Sequence, residues 1–245
     1  MDTTDRINEI FKRLDDWRDL PAYQLERRAD IFFSLYLKEV LEKELGKREN
    51  KKIELHEVII PEFPIKKKGK GGRESNQSNK LDYVLFARDR SKVYFVELKT
   101  DSGSWREKQD KYLNNAQIAA FAELLKDLTK IAIKTNEKQK YYRLLKMLAC
   151  LGFLNLPSDI EDYLYPKPKR GLKSCFEKIA VTGPNPPIEI VYVLPRMKQS
   201  HTCIDFKQFA EVVKKYDDSI SKRFAESLEC WAETKAGAPA TMPPT

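Results

Sequence analysis

Residues 80–112 read KLDYVLFARDRSKVYFVELKTDSGSWREKQDKY, and this stretch decides the fold. Two apolar runs, Leu81–Ala87 and Val93–Lys99, are rich in β-branched and aromatic residues, and a polar Arg-Asp-Arg-Ser segment separates them. Such runs joined by a short polar connection are typical of a β-hairpin. The sequence therefore predicts two antiparallel strands that turn about Asp89 and Arg90.

The register of this hairpin brings two carboxylates together. A turn at the predicted position sets residue 84 opposite residue 95 and Asp82 opposite Glu97. Directly opposed residues have Cβ atoms roughly 4.5–5.5 Å apart, so two carboxylates there repel each other unless a cation lies between them. Carboxylate oxygens are ligands that Mg²⁺ and Mn²⁺ prefer. The pair therefore predicts a divalent metal site with Mg²⁺ or Mn²⁺ as the cofactor.

Lys99 completes this constellation, because side chains two residues apart on a strand share a face. Its ammonium can orient a water molecule or neutralise developing negative charge. Together Asp82, Glu97 and Lys99 predict an enzyme that hydrolyses phosphodiester bonds. The alternative for a lone Glu-x-Lys is a solvated ion pair on an edge strand. The cross-strand Asp82 and the apolar residues on both faces favour the catalytic interpretation.

The spacing from Asp82 to Glu97-Leu98-Lys99 resembles the PD-(D/E)XK nuclease superfamily, with Leu81 in place of the Pro that names the motif. The resemblance covers the first half of the chain. It implies a restriction-endonuclease-like core and an Mg²⁺-dependent nuclease, with DNA favoured over RNA as the substrate. We expect Asp82, Glu97 and the Leu98 backbone carbonyl to hold the metal.

The resemblance also points to side chains outside the hairpin. Family members often carry a Gln on the helix after the Lys, and Gln109 with Tyr112, neighbours at i and i+3, resembles that element. They also place a Glu on a helix ahead of the sheet. Glu26 is the first candidate for that additional metal-site acid and Glu39 the second. The alternatives are an exposed helix face for Gln109 and, for Glu26, an ordinary first-turn acid at the positive end of a helix.

The charge of the chain suits a polyanionic partner, since 45 Lys and Arg against 37 Asp and Glu give a net charge of +8. Segment 66–80, KKKGKGGRESNQSNK, has no apolar residue to pack, so it predicts a mobile basic loop that leads into the strand of Asp82. It is interpreted as a phosphate-contacting flap, with a solvated linker as the alternative. The predicted nucleic-acid contacts are Lys66, Lys67, Lys68, Lys70, Arg73, Arg106 and Tyr112.

A further basic-aromatic stretch, YLYPKPKR at 163–170, lies in the second half of the chain. Aromatic rings interleaved with cations can stack on bases while binding phosphates. A packed surface loop is the alternative explanation of this composition.

Cysteine and histidine content excludes several other classes. The four cysteines are far apart and there are only two histidines, so neither a zinc site nor a disulfide framework is predicted. The longest apolar run, 147–156, is too short to span a bilayer, and the charged N-terminus is not a secretory signal. The sequence indicates a cytoplasmic protein without a membrane partner. It leaves the oligomeric state open, a homodimer included.

The remaining patterns predict an α/β fold. Amphipathic helices are expected over 3–20, over 23–45 with a stop at Gly46, and over 114–156. A strand is expected within 51–65, the run IEIVYVL at 188–194 predicts a fourth and buried strand, and 205–234 predicts a final helix with one break.

These elements predict a mixed four-stranded sheet flanked by helices. We expect a single nuclease-like domain over 1–235, with a helical insertion at about 114–180 before the last strand, and a disordered tail over 236–245. The alternative function is a catalytically inactive nucleic-acid-binding or assembly module of the same fold. A helical regulatory protein with an incidental hairpin is a third interpretation.

Overall fold

The computed structural model describes residues 3–18, 20, 23–68, 74–100, 107–197 and 201–233, and in this part it is an α/β protein with nine helices and a mixed five-stranded sheet. The helices are α1 (Thr3–Trp17), α2 (Leu25–Glu49), α3 (Glu107–Ala119), α4 (Phe121–Lys134), α5 (Lys138–Cys150), α6 (Ile160–Leu164), α7 (Leu172–Glu177), α8 (Phe206–Val213) and α9 (Ser219–Glu233). The strands are β1 (Ile60–Lys68), β2 (Glu74–Phe86), β3 (Val93–Leu98), β4 (Leu154–Asn155), β5 (Ala180–Val181), β6 (Ile188–Leu194) and β7 (Thr202–Asp205).

The chain divides into two compact units, each built from separated segments. The first unit comprises Met1–Glu57, Val96–Glu107 and Ile190–Thr245, and the second comprises Val58–Phe95 and Lys108–Glu189. No helix within the described ranges is long and apolar enough to cross a bilayer.

The large sheet has the strand order β1-β2-β3-β6-β7. β1 and β2 pair antiparallel, whereas β6 and β7 pair parallel. β3 is bonded to the β6 segment at both ends, where Val93 N–H donates to the Pro187 carbonyl at 3.0 Å and Lys99 N–H donates to the Val193 carbonyl at 2.8 Å. Because β3 is an interior strand, all six of its residues are buried.

Aromatic side chains form the core of the first unit. Phe33 of α2 is 1% exposed, and its ring centroid lies 5.2 Å from those of Phe209 and Phe224. Large rings at helical spacing allow α2, α8 and α9 to bury one common face. Asp15 joins α1 to α9, because its carboxylate accepts a hydrogen bond from Trp231 Nε1 at 2.8 Å.

The second unit is built on the antiparallel pair of strands β1 and β2. Phe121, at the start of α4, is fully buried, with its ring centroid 5.9 Å from that of Phe86 and 5.2 Å from that of Phe153. These ring contacts pack α4 and the segment around β4 against an apolar side chain of β2. β4 and β5 form a separate two-stranded sheet within the same unit.

Asp218 caps the first turn of α9. Its carboxylate accepts hydrogen bonds from the Ser221 hydroxyl and from the Ser221 N–H, the latter at 2.9 Å, and these bonds lower the pKa of Asp218. Since the pKa is lower in the folded chain, the charged cap contributes stability above the ordinary carboxyl pKa and loses it as the pH falls through the folded value.

We expect Asp218→Ala to lower the free energy of unfolding by about 1 kcal/mol at neutral pH, and by clearly less in acid, where the wild-type carboxyl is itself protonated. Urea unfolding of both proteins at pH 7 and near pH 3 measures the difference. Asp218→Asn keeps an accepting oxygen at the cap but not the charge, so we expect it to lose less stability than Asp218→Ala at pH 7 and to come closer to wild type in acid. An equal loss at both pH values would contradict this account.

Several predicted elements are confirmed. β2 and β3 form at the two apolar runs, and the Ala87 N–H donates to the Lys92 carbonyl at 2.9 Å across the predicted turn. The run at 188–194 is β6, a strand between β3 and β7. The final helical segment has one break, between α8 and α9.

The prediction of four strands was wrong, because β7 adds a fifth strand that pairs in parallel with β6. Residues 51–59, expected to begin a strand, contain only an isolated bridge at Leu55, and β1 begins at Ile60. Gly46 does not stop α2. The helix continues to Glu49 and ends at Asn50, whose left-handed conformation (φ 48°) lets its N–H reach the Gly46 and Lys47 carbonyls.

The predicted loop 66–80 is largely strand. β1 extends to Lys68 and β2 begins at Glu74, with Lys66 opposite Ser78 in the antiparallel ladder. A ladder is made by backbone groups, so polar side chains do not prevent it. Residues 69–73 and the tail 236–245 lie outside the described residues. The single domain over 1–235 stays a prediction.

Candidate functional site

Glu97 and Lys99 are buried charged residues at the end of β3, in the first unit. Glu97 is 1% exposed and Lys99 is 5% exposed. Lys99 Nζ donates to Glu97 Oε1 at 2.7 Å and to the Leu98 carbonyl oxygen at 3.1 Å. Glutamate and lysine are almost never buried to this degree unless they are paired. The predicted Glu-x-Lys is therefore an enclosed ion pair in this structure, and not a solvated pair on an edge strand.

Glu26 lies beside this ion pair. It stands in the first turn of α2, and its Oε2 is 3.9 Å from Lys99 Nζ. The position fits both expectations for Glu26, since a first-turn acid is stabilised by the helix dipole and also contributes charge next to Lys99. Glu39, the second candidate, lies elsewhere. Its carboxylate accepts hydrogen bonds from Lys215 Nζ at 3.3 Å and from the Tyr216 hydroxyl. The contacts therefore favour Glu26.

The backbone fixes Lys99 at its position. The Lys99 N–H donates to the Val193 carbonyl, so the residue is bonded to the neighbouring strand although β3 itself ends at Leu98. An exposed loop would allow the Lys99 side chain many more conformations than this bonded strand end does. The ammonium is consequently held at defined distances from two oxygen atoms.

Asp82 lies on β2 in the second unit, where it is half-buried between Leu81 and Tyr83. The hydrogen bond between Ala87 and Lys92 fixes the start of the hairpin ladder in the register that the sequence predicts. That Asp82 lies opposite Glu97 stays a prediction.

The register of β1 and β2 adds an acid that the sequence analysis did not consider. Pro61 is opposite Tyr83 and Phe63 is opposite Leu81, so Glu62 lies across from Asp82. Glu62 Oε2 is bound by Lys80 Nζ at 2.5 Å. The sequence predicts that the strand within 51–65 pairs with the hairpin but gives no register for it, and the register is what brings Glu62 across from Asp82.

Gln109 and Tyr112 lie on α3 and contact each other, as their i, i+3 spacing predicts. Gln109 Nε2 donates to the Tyr112 hydroxyl at 3.4 Å, and this hydroxyl donates to the Lys80 carbonyl at 3.3 Å. The two bonds attach α3 to β2 within two residues of Asp82. Both are long hydrogen bonds, so a ligand with a better acceptor could replace them.

The predicted nucleic-acid contacts are only partly described. Lys66 is half-buried and Lys67 is exposed on β1. The side chain of Lys68 and the whole of Lys70, Arg73 and Arg106 lie outside the described residues.

The oxygen atoms at the end of β3 are of the chemical types that a hard divalent cation takes as ligands. In the described ranges, no group of three or more His, Cys, Asp or Glu side chains is arranged to hold a metal ion. The predicted acids Asp82, Glu97 and Glu26 are all described residues and do not form such a group, so the metal site stays a prediction. Two of the predicted ligand atoms, Glu97 Oε1 and the Leu98 carbonyl oxygen, converge on one cationic atom, Lys99 Nζ. Carboxylate and carbonyl oxygens are ligand types of Mg²⁺, which completes its octahedral coordination with water or substrate oxygens.

Comparison with protein-family models, with curated proteins and with solved structures finds no match.

Proposed function

We propose that the chain is a Mg²⁺-dependent nuclease with a restriction-endonuclease-like core. The observation that carries the proposal is the buried Glu97–Lys99 pair, with Glu26 beside it and the Leu98 carbonyl bound to the same ammonium. Burying two charges in a sheet interior costs on the order of several kcal/mol per ion before their mutual attraction is counted. Stability alone does not call for such a pair, whereas phosphodiester chemistry uses both groups.

The order of the elements supports the same proposal. α2 precedes three consecutive strands, β1 to β3, then come α3 and a set of further helices, and β6 follows beside β3. This is the arrangement that the resemblance to PD-(D/E)XK nucleases implies, with the acid and the lysine at the end of the third strand.

In the proposed mechanism, Asp82, Glu97 and the Leu98 carbonyl would hold Mg²⁺ or Mn²⁺, with Glu26 as a further acid. Such a cation would supply Lewis-acid chemistry, which activates the attacking water and offsets charge on the phosphate. Lys99 supplies a positive charge that orients this water or neutralises the developing negative charge. Gln109 can donate to a phosphate oxygen or hold the water, because its amide both donates and accepts.

Charge supports nucleic acid as the substrate, with DNA favoured over RNA by the family resemblance alone. The chain carries a net charge of +8. Lys66 and Lys67 extend β1 beyond the segment opposite Asp82, and cations there would neutralise phosphates next to the proposed site. The same contacts would give binding that weakens steeply with salt.

A second candidate function is a nucleic-acid-binding or assembly module without turnover. The observation that favours it is that Lys99 already satisfies Glu97 Oε1 and the Leu98 carbonyl, two of the proposed metal ligands. An ion pair whose charged groups already bind each other can have a purely structural role.

A cleavage assay separates the two functions. Labelled single- and double-stranded DNA and RNA are incubated with the full chain in Mg²⁺, Mn²⁺ or EDTA, with Lys99→Ala in parallel. Lys92→Ala is the matched control, since Lys92 lies next to the same strand and has its own partner, Glu189, at 2.7 Å. We expect metal-dependent cleavage in wild type and in Lys92→Ala but not in Lys99→Ala. Nucleic-acid binding without cleavage by any metal-loaded protein would favour the module.

A further inference from the structure

The loop 165–171, YPKPKRG, joins α6 to α7 in the second unit, and we call it the basic loop. Leu164 before it and Leu172 after it are buried, so both ends are anchored. Within it, the Lys169 N–H donates to the Tyr163 carbonyl at 2.8 Å and the Leu172 N–H donates to the Lys169 carbonyl at 3.2 Å. The backbone of the loop is thus fixed by hydrogen bonds while its residues are exposed.

The basic loop concentrates positive charge. Residues 165–178 contain five Lys or Arg and one Glu, a net charge of +4 in a chain of +8. Among the described residues, Lys167, Lys169 and Arg170 form no ion pair. Two acids, Glu161 and Asp162, precede the loop on α6, and Glu161 is bound by Lys146 at 2.6 Å. Three adjacent exposed cations without acidic partners create a local positive potential that attracts a polyanion.

An aromatic ring lies among these cations. Tyr165 is 36% exposed, and its ring meets that of Tyr142 at a centroid distance of 6.4 Å and an interplanar angle of 72°. Tyr142 is itself buried, and its hydroxyl donates to Glu161 at 2.6 Å. The edge-to-face contact on a buried partner holds the Tyr165 ring in place at the surface. A ring held in place can stack on a ligand at a lower cost in conformational entropy.

We propose that the basic loop binds single-stranded nucleic acid, with Tyr165 stacked on an unpaired base and Lys167, Lys169 and Arg170 on phosphates. The cations alone would suit a duplex, an acidic peptide or an anionic membrane equally well. The exposed ring favours a partner that offers a planar π-face, which an unpaired base has and a paired base inside a duplex does not. This inference rests on the proposed function for the class of polymer and adds its single-stranded state.

Fluorescence anisotropy of a labelled single-stranded oligonucleotide and of its duplex, with the full chain in EDTA over a series of salt concentrations, tests the proposal. The loop variant is Lys167→Gln/Lys169→Gln/Arg170→Gln. The charge-matched control is Lys126→Gln/Lys130→Gln/Lys140→Gln, in which each lysine is paired with an acid of its own helix or its N-terminal cap. Tyr165→Ala and Tyr165→Phe test the ring.

We expect the loop variant to bind the single strand at least about tenfold more weakly and to reduce the slope of log K against log salt by about 2, whereas the control keeps the wild-type slope. Tyr165→Ala should weaken binding by about tenfold and Tyr165→Phe should not, because Phe keeps the stacking face. Tighter wild-type binding to the duplex, to anionic vesicles or to an acidic peptide, or equal losses in the loop variant and the control, would overturn the proposal.

The two proposals fail in different ways. If the loop variants lose binding and wild type cleaves no substrate, the basic loop stands and the nuclease does not. If wild type cleaves, and the loop variants bind the single strand as tightly as wild type, then only the proposal for the basic loop is rejected.

Discussion

We expect Glu97→Gln to lower kcat/KM for the proposed metal-dependent cleavage by about 10³-fold or more, a loss of about 4 kcal/mol of transition-state stabilisation. The physical reason is that an amide has no charge with which to hold a divalent cation, and Glu97 is 1% exposed, so solvent does not replace it. Asp82→Asn is expected to cause a loss of the same order, because the prediction assigns the second carboxylate to it. Single-turnover cleavage of the best substrate from the screen measures both losses.

Glu189→Gln is the matched control for this measurement. Glu189 is a half-buried acid on β6, with its own lysine partner, Lys92, at 2.7 Å. It should keep the wild-type rate within a few-fold, because it lies at the opposite end of its strand from the residues bonded to Lys99. Near wild-type cleavage by Glu97→Gln would contradict the assignment, and loss in all three variants would indicate a general effect on the fold.

The hairpin could be predicted because its signals are local. Apolar residues from 81 to 99, with one short polar break, specify two adjacent strands, and the turn length fixes their register. β6 was predictable for a similar reason, since seven nearly continuous apolar residues indicate an interior strand. β7 has only four residues and pairs Thr202 with Val191, and neither its length nor its composition provides a signal.

The candidate site likewise combines contacts that follow from local sequence with contacts between residues far apart in the chain. The shared face of Glu97 and Lys99 follows from strand alternation, and the structure adds that the two side chains bind each other. The contact of Glu26 with Lys99 joins residues that are far apart in sequence, so periodicity within α2 could only rank Glu26 as a candidate. Strand pairing over 66–80 was missed because the prediction relied on side-chain composition, and backbone pairing does not depend on it.

Lys99→Met is expected to lower the free energy of unfolding by about 3–5 kcal/mol, because it leaves the buried Glu97 carboxylate without its closest cation. The double variant Glu97→Gln/Lys99→Met should recover most of this loss. It replaces both charges by neutral groups of similar size, and neutral replacement of a buried pair is often close to neutral for stability. Urea unfolding followed by two independent probes gives the three free energies and tests whether a two-state analysis applies.

The effect of Mg²⁺ on the melting temperatures of the same proteins distinguishes a metal site from a purely structural ion pair. A cation that binds Glu97 and the Leu98 carbonyl competes with the Lys99 ammonium for the same oxygens. Lys99→Met removes that competitor and leaves the carboxylate, so Mg²⁺ should raise its melting temperature more than that of wild type. In the double variant the carboxylate is gone and the shift should disappear.

A structural ion pair predicts a different pattern. Lys99→Met would then lose stability without any gain from Mg²⁺ beyond the effect of ionic strength, which Na⁺ at matched ionic strength measures. Lys92→Met, which removes the cation from Glu189 at the other end of the strand, should show neither the large loss nor a specific response to Mg²⁺, because that pair is half-exposed. A Mg²⁺ shift that persists in the double variant would place any bound metal elsewhere and remove Glu97 from its ligands.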